Sequence, residues 1–344
     1  RDIDLTYRDQ DTPVVTFDSE WQNSRQKAKV IVTKKEKDSD RVLEGGVFRQ
    51  DYVDGEKVNL INAIESQIND KRSYAASRLR QEMFQDEPYG VSKYGEKEDV
   101  AAITPGMLYA HYLRVLRTSR IELIFTGNAD AGALESALRE ALKGLPRGAL
   151  TPIGTVPGPM PEAVREVSET MDVTQGKLVM GFRTGITAGD PEYPALLMMN
   201  GVYGGSLTSK LFMNVREKMS LCYYASSGTE RFKGVMVVSS GVDMDKYETA
   251  RKEIMAQLEA CRRGEITAEE LESTRSYLIS SLKTGEDSPY NMDDFQLGQL
   301  IGGYDYTTES LAEALKTVTI PEIQSAADRL ALDTVYFLRG EADA

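Results

Sequence analysis

The stretch Gly204-Gly205-Ser206-Leu207-Thr208-Ser209-Lys210-Leu211-Phe212, continued through Val215-Arg216-Glu217-Lys218-Met219-Ser220-Leu221-Cys222-Tyr223-Tyr224, is the most decisive part of this chain. Leu207, Leu211, Phe212 and Val215 recur at three- and four-residue spacing, which predicts a helix over 206–218 with one apolar side. Tyr223-Tyr224-Ala225 and the run 234–242 then read as paired strands. The glycine pair ahead of the helix marks a helix terminus or a close approach of two backbones.

Working outward, Lys177 to Arg183 reads as a strand and Tyr193 to Tyr203 as an apolar helix ending at the glycine pair. Further on, Lys246 to Cys261 predicts a helix with Ile254, Met255 and Leu258 inward. Thr267-Ala268-Glu269-Glu270 is a capping box, in which threonine and glutamate each satisfy a backbone N–H of the other, and it opens a helix through Leu282. The stretch Ser281 to Tyr290 reads as an interhelical loop. The strand Lys233 to Gly241 is a candidate edge for an added peptide strand. These elements make an α+β plan, a mixed, mostly antiparallel sheet with helices packed on one face.

An internal echo extends the plan to the rest of the chain. Thr104-Pro105 opens a helix carrying Met107, Leu108, Tyr112 and Leu116, and a strand Ile121 to Phe125 ends at Gly127. Roughly 214 positions later Thr319 and Pro321 open a helix carrying Ile323, Ala326, Ala327 and Leu330, and a strand Thr334 to Leu338 ends at Gly340. Two homologous domains follow, 1–143 and 173–344. The linker 144–172 between them holds a run from Gly144 to Pro161 too rich in proline and glycine for helix or sheet.

Composition narrows the function. With 54 acidic against 41 basic residues the chain carries a net charge of -13, which repels phosphate backbones, so nucleic acid is not an expected partner. No run approaches the roughly 18 apolar residues of a membrane span, and the start Arg1-Asp2-Ile3-Asp4 has no signal-peptide pattern, so a cytoplasmic location is expected. The two cysteines, Cys222 and Cys261, lie in apolar-patterned segments and read as buried reduced thiols.

The quoted stretch resembles the second homologous domain of the insulinase/pitrilysin zinc peptidases, whose pattern is a glycine pair, a Ser-Lys/Arg-Leu-Phe helix, Arg-Glu-Lys, a turn and an aromatic strand. Asp86-Glu87-Pro88-Tyr89-Gly90, followed by Gly95-Glu96 and Ile103-Thr104, resembles the His-Pro-Tyr-Gly region of the first domain. The resemblance implies a processing-peptidase-like fold of duplicated domains. It also implies a zinc site built from an inverted His-x-x-Glu-His helix and a glutamate from a later helix.

The residues needed for that site are not in this sequence. The single histidine, His111, sits mid-helix and reads as a surface or packing residue. Setting Glu56-Lys57 to Ala63-Ile64 on the family's Glu-Lys-x-x-x-x-x-Glu-Ile helix puts Ala63 where the ligand glutamate belongs. Upstream of Glu56 the chain is shorter than the family's first domain, and Thr33 to Arg41 is charged and patternless, so part of that domain is expected to be missing or disordered.

In active members of the family an arginine and a tyrosine seven positions apart reach the substrate beside the zinc, and the resemblance carries those roles to Arg216 and Tyr223. The plainer alternative pairs Arg216 with Glu217 and leaves Tyr223 half-buried on its strand. The resemblance therefore implies a non-catalytic subunit of a heterodimeric peptidase. Such a subunit has no cofactor of its own, shapes half of a peptide-enclosing chamber and supplies Arg216 and Tyr223 to a homologous catalytic partner that holds the zinc. Two other readings stay open: a complete zinc peptidase whose metal box lies outside this sequence, and a peptide-binding scaffold without an enzymatic role. Self-association into a homodimer is open as well.

Overall fold

The computed structural model describes the backbone of residues 4–5, 14–22 and 25–33, and residues 42–125, 128–152 and 156–340 in full. The charged run 34–41 and Gly127, where the first copy of the echo was expected to end, lie outside the described residues. By contacts the chain forms two compact units, residues 1–64 with 96–153, and residues 65–95 with 154–344.

In the first unit Asp4–Leu5, Val14–Gln22 and Arg25–Thr33 form an antiparallel sheet. Leu43–Glu44 pairs with Val47–Phe48 around Gly45 and Gly46, whose φ angles of 59° and 82° favour glycine. The helix Pro105–Thr118 starts as its sequence requires, with the Thr104 hydroxyl accepting the Met107 N–H at 3.3 Å and proline at the first position. Phe48 packs edge-on to Tyr109 and Tyr112, with ring centres 5.3 and 5.7 Å away. The expected strand Ile121 to Phe125 has no ladder partner among the described residues, and Leu123 is half exposed. Apolar content predicted a strand there, but a strand exists only through a neighbour's N–H and C=O groups.

The second unit is built on a five-stranded sheet in the spatial order Arg165–Thr170, Ala331–Arg339, Gly176–Arg183, Val235–Val242, Cys222–Glu230. The first pair is parallel and the other three are antiparallel. Leu178, Met180 and Phe182 point to one face, where they join Met236, Val238 and Val335 against the helices Tyr193–Asn200, Tyr247–Arg262, Thr308–Thr317 and Ile320–Asp328. This period-two pattern sets up the main core.

On the other face Val179, Tyr336 and Leu338 pack on Ala75 and Leu79 of the helix Lys71–Met83. The Arg78 guanidinium and the Tyr74 hydroxyl bond Glu169 at 2.6 and 2.9 Å, so an ion pair also fastens this helix to the sheet. The helix therefore packs with the second sheet although it lies within the 1–143 stretch.

Several local expectations change. Val235–Val242 is an interior strand, so the edges of the sheet are Cys222–Glu230 and Arg165–Thr170, not the Lys233 to Gly241 run. Arg165–Thr170 falls inside the stretch read as linker, while the described residues between Gly144 and Val164 are irregular, as the proline- and glycine-rich composition foretold. The helix expected over 206–218 is instead a turn at Ser206–Ser209 followed by wide helical turns over Leu211–Lys218. Both cysteines are buried free thiols. Among the described residues no helix is long and apolar enough to cross a membrane.

Candidate peptide-holding site

The glycine pair is there for want of space. A Cβ on Gly204 would lie 2.6 Å from Ser227 Oγ and 2.7 Å from Leu211 Cδ1, and one on Gly205 would lie 2.6 Å from Asn200 Nδ2. The backbone can thus press against the edge strand, where Ser227 Oγ donates to Asn200 Oδ1 at 2.7 Å. Next, Ser209 Oγ donates to the Ser206 carbonyl at 2.6 Å, Lys210 Nζ reaches Glu270 Oε1 at 2.8 Å, and Leu211 and Val215 are fully buried. Glu270 belongs to the capping box: its other oxygen accepts the Thr267 N–H at 2.8 Å, while Thr267 Oγ1 accepts the Glu270 N–H at 3.1 Å.

The helix Leu211–Lys218 ends between the two candidate residues. The Leu221 N–H donates to the Val215 carbonyl and the Ser220 N–H to the Arg216 carbonyl, both at 3.1 Å. Ser220 has φ 50°, the left-handed conformation that closes helices this way. The edge strand then begins with a bulge: Cys222 opposes Val242 and Tyr224 opposes Gly241, which leaves Tyr223 unpaired between them.

Tyr223 is accordingly 62 % exposed rather than half-buried. The Asp243 carboxyl beside it is held below the usual carboxylate range, chiefly by the Lys246 hydrogen bond and in smaller part by the Tyr223 hydroxyl. Arg216 lies over the Phe212 ring, 4.7 Å from its centre, and touches Glu217 at 3.2 Å, the contact anticipated as the plainer alternative. Both partners are more than a third exposed, so this ion pair contributes little and leaves the guanidinium free to turn. No hydrogen bond joins Arg216 to Tyr223. Each is presented to solvent on a fixed backbone, and both are donors able to hold a peptide carbonyl.

The described residues do not fit a zinc ion. Ala63 is an exposed methyl on the helix Gln50–Ser66. His111 is exposed on its own helix, with Nδ1 2.8 Å from Arg114 Nη2. Among the described residues no three His, Cys, Asp or Glu side chains gather as metal ligands would. Lys57, earlier on the same helix, bonds the Ala101 and Ile103 carbonyls at 2.7 and 2.9 Å, at the end of a short helix.

Sequence reading missed a buried charge network in the second unit. The Glu87 carboxylate bridges Arg183 Nη2, at 3.0 Å, and Lys233 Nζ, while Arg183 Nε also reaches Asp333 at 2.9 Å. Both cations are about 6 % exposed and lie over the Phe84 ring. Burial pushes the Glu87 carboxyl up, but the Lys233 and Arg183 hydrogen bonds outweigh it and hold the group below its usual range. The Asp86-to-Gly90 motif is thus a structural hub. Glu87 lies 146 residues from Lys233, so no local pattern announces the pairing.

A family model described as Peptidase M16 inactive domain matches residues 102–278, just over half of the sequence. This chain belongs to the M16 peptidase family. The M16 chain is 35% identical to the "Probable inactive metalloprotease YmfF" of Bacillus subtilis over 298 residues, 87% of this chain and 70% of that protein. It is 26% identical to an uncharacterized zinc protease of Mycobacterium tuberculosis over 300 residues, 85% of this chain and 67% of the relative. Among solved structures, a conserved protein from Enterococcus faecalis superposes with a TM-score of 0.81 at 30% identity, covering 88% of this chain and 72% of that one. A protease from Helicobacter pylori shares the fold with a TM-score of 0.72 at 16% identity, covering 85% and 72%. Over the matched residues it is a non-catalytic M16-like protein, in keeping with the insulinase/pitrilysin resemblance of the quoted stretch.

Proposed function

We propose that this M16 chain is the non-catalytic half of a two-part zinc peptidase, enclosing a peptide opposite a homologous subunit that holds the zinc. One observation carries the reading: a left-handed helix end at Ser220 and a bulge at Tyr223 set Arg216 and Tyr223 out toward solvent, each held only by exposed contacts, Arg216 with Glu217 and Tyr223 with Asp243. A guanidinium fork and a phenol placed in this way can share the negative charge that develops on a scissile carbonyl oxygen. Pre-set donors act only where that charge forms, so they need a partner's metal nearby. The edge strand Cys222–Glu230, whose second residue is Tyr223, offers an extended peptide a row of backbone groups.

Reconstitution tests this reading. The purified chain is expected to bind no stoichiometric zinc and to cleave no peptide by itself. Mixed with a homologous subunit from the same source that bears His-x-x-Glu-His, it is expected to give chelator-sensitive cleavage well above that of the partner alone. About one zinc per chain held by its own side chains would refute the proposal.

A further inference from the structure

Away from Arg216 and Tyr223, on the side of the sheet where Lys71–Met83 packs, a second group of side chains gathers. Lys177 and Tyr224 both stand opposite Gly241, one in each ladder, so the three positions make a single row across the strands. A Cβ on Gly241 would come within 2.5 Å of Tyr224 Cε1 and 2.8 Å of Gln175 Oε1, so the ring lies over the glycine toward Lys177. Arg72 covers the row, its Cζ 4.2 Å from the Tyr224 ring centre and its Nη2 3.5 Å from Ser226 Oγ on the edge strand.

Neither cation has a carboxylate within ion-pair reach among the described residues. Lys177 Nζ donates to Gln175 Oε1, and the acid coupled to the spot, Asp70, is committed elsewhere. Its Oδ1 accepts the Arg72 and Ser73 N–H groups at 3.1 and 3.2 Å, and its Oδ2 accepts the Ser73 hydroxyl at 2.6 Å. The charged form of Lys177 is disfavoured, first by burial and then by Arg72. Asp70 lies near both cations but pairs with neither side chain, so Arg72 and Lys177 still oppose each other, and a carboxylate bonded to both relieves that opposition.

We propose that Arg72 and Lys177, over Tyr224, form a docking point for a carboxylate of a peptide held along the edge strand Cys222–Glu230. The arginine fork matches a carboxylate in two-point geometry, and the lysine adds a point charge. The chain's net charge of -13 repels polyanions, so an isolated cation pair within it suits a single carboxylate better than a phosphate chain. The proposal rests on the peptide-holding part of the reading above and not on any contribution to a partner's zinc.

Fluorescence titration of the full chain, without partner, tests it. The probes are a neutral dansylated heptapeptide as the free acid, the same peptide as its C-terminal amide, and an amide carrying one internal glutamate. The free acid or the glutamate amide is expected to bind about tenfold more tightly than the neutral amide, and which of the two does so identifies a terminal or a side-chain carboxylate. The preference is expected to vanish in Arg72→Gln and in Lys177→Gln, with the neutral amide bound as before and thermal unfolding unchanged. Equal binding of all three peptides, no binding of any, or a preference that survives in the double variant would each overturn the proposal. A docking point that behaves as expected in a chain that fails to stimulate a catalytic partner would sink the two-part peptidase and leave this site standing.

Discussion

Lys210 Nζ and Glu270 Oε1 lie 2.8 Å apart, with only 8 % of the lysine side chain exposed. The lysine comes from the turn after the glycine pair and the glutamate from the first turn of the helix Ala268–Gly285, 60 residues later. One carboxylate therefore caps a helix with one oxygen and neutralises a buried cation with the other. The Ser-Lys-Leu-Phe motif owes its lysine to that double duty rather than to catalysis.

Removing the cation leaves the carboxylate half-buried without its partner. Lys210→Ala is expected to lower stability by about 2–3 kcal/mol, while Glu270→Gln, which keeps a hydrogen-bonding cap, is expected to cost more than Lys210→Met. Urea unfolding midpoints check the order. Equal, negligible shifts for all three would show that the pair is not coupled to folding.

Ser220 holds φ 50° without being glycine, which costs roughly 1 kcal/mol at a helix end. Ser220→Gly is expected to raise stability by up to about that amount and to leave the exposed positions of Arg216 and Tyr223 unchanged. A lower melting temperature for this variant would mean that the serine hydroxyl contributes something the backbone geometry does not.

Two partly buried carboxylates set an acid limit. For Glu87, burial raises the pKa but the hydrogen bonds from Lys233 and Arg183 lower it further; for Glu169, burial is likewise outweighed by Arg78 and Tyr74. Both folded-state values thus lie below the unfolded value of about 4.3. Their contribution is complete above that value and is lost as pH falls through the lowered folded values. Stability is therefore expected to be flat from neutral pH to about 5 and to fall below about 4, with a smaller fall in Glu87→Gln, which starts less stable. An acid transition as steep in Glu87→Gln as in the parent would contradict this assignment.

Much of the second unit was legible because its signals are local. The Thr267–Glu270 capping box, the strand Gly176–Arg183 and the pairing of Cys222–Glu230 with Val235–Val242 each follow from neighbouring residues. What escaped depends on distant partners. Nothing near Ala75 and Leu79 says that their helix covers a sheet assembled more than ninety residues later, and nothing near Glu87 foretells Lys233. Strand order was also hidden, since which of the paired strands Cys222–Glu230 and Val235–Val242 lies outermost depends on Gly176–Arg183, more than thirty residues away in the chain. In the candidate site, Arg216 and Tyr223 came from a motif's spacing. Their exposure came from the bulge and the left-handed turn, which serine and tyrosine do not advertise as glycine would.

The most direct test of the central claim is the turnover number of the reconstituted pair with the doubly substituted chain, Arg216→Ala with Tyr223→Phe, measured at saturating peptide. Loss of donors that act only on a developing oxyanion is expected to lower kcat by about a hundredfold or more while the two subunits still assemble. An unchanged kcat in a fully assembled pair would contradict the claim that this chain serves a partner's active site.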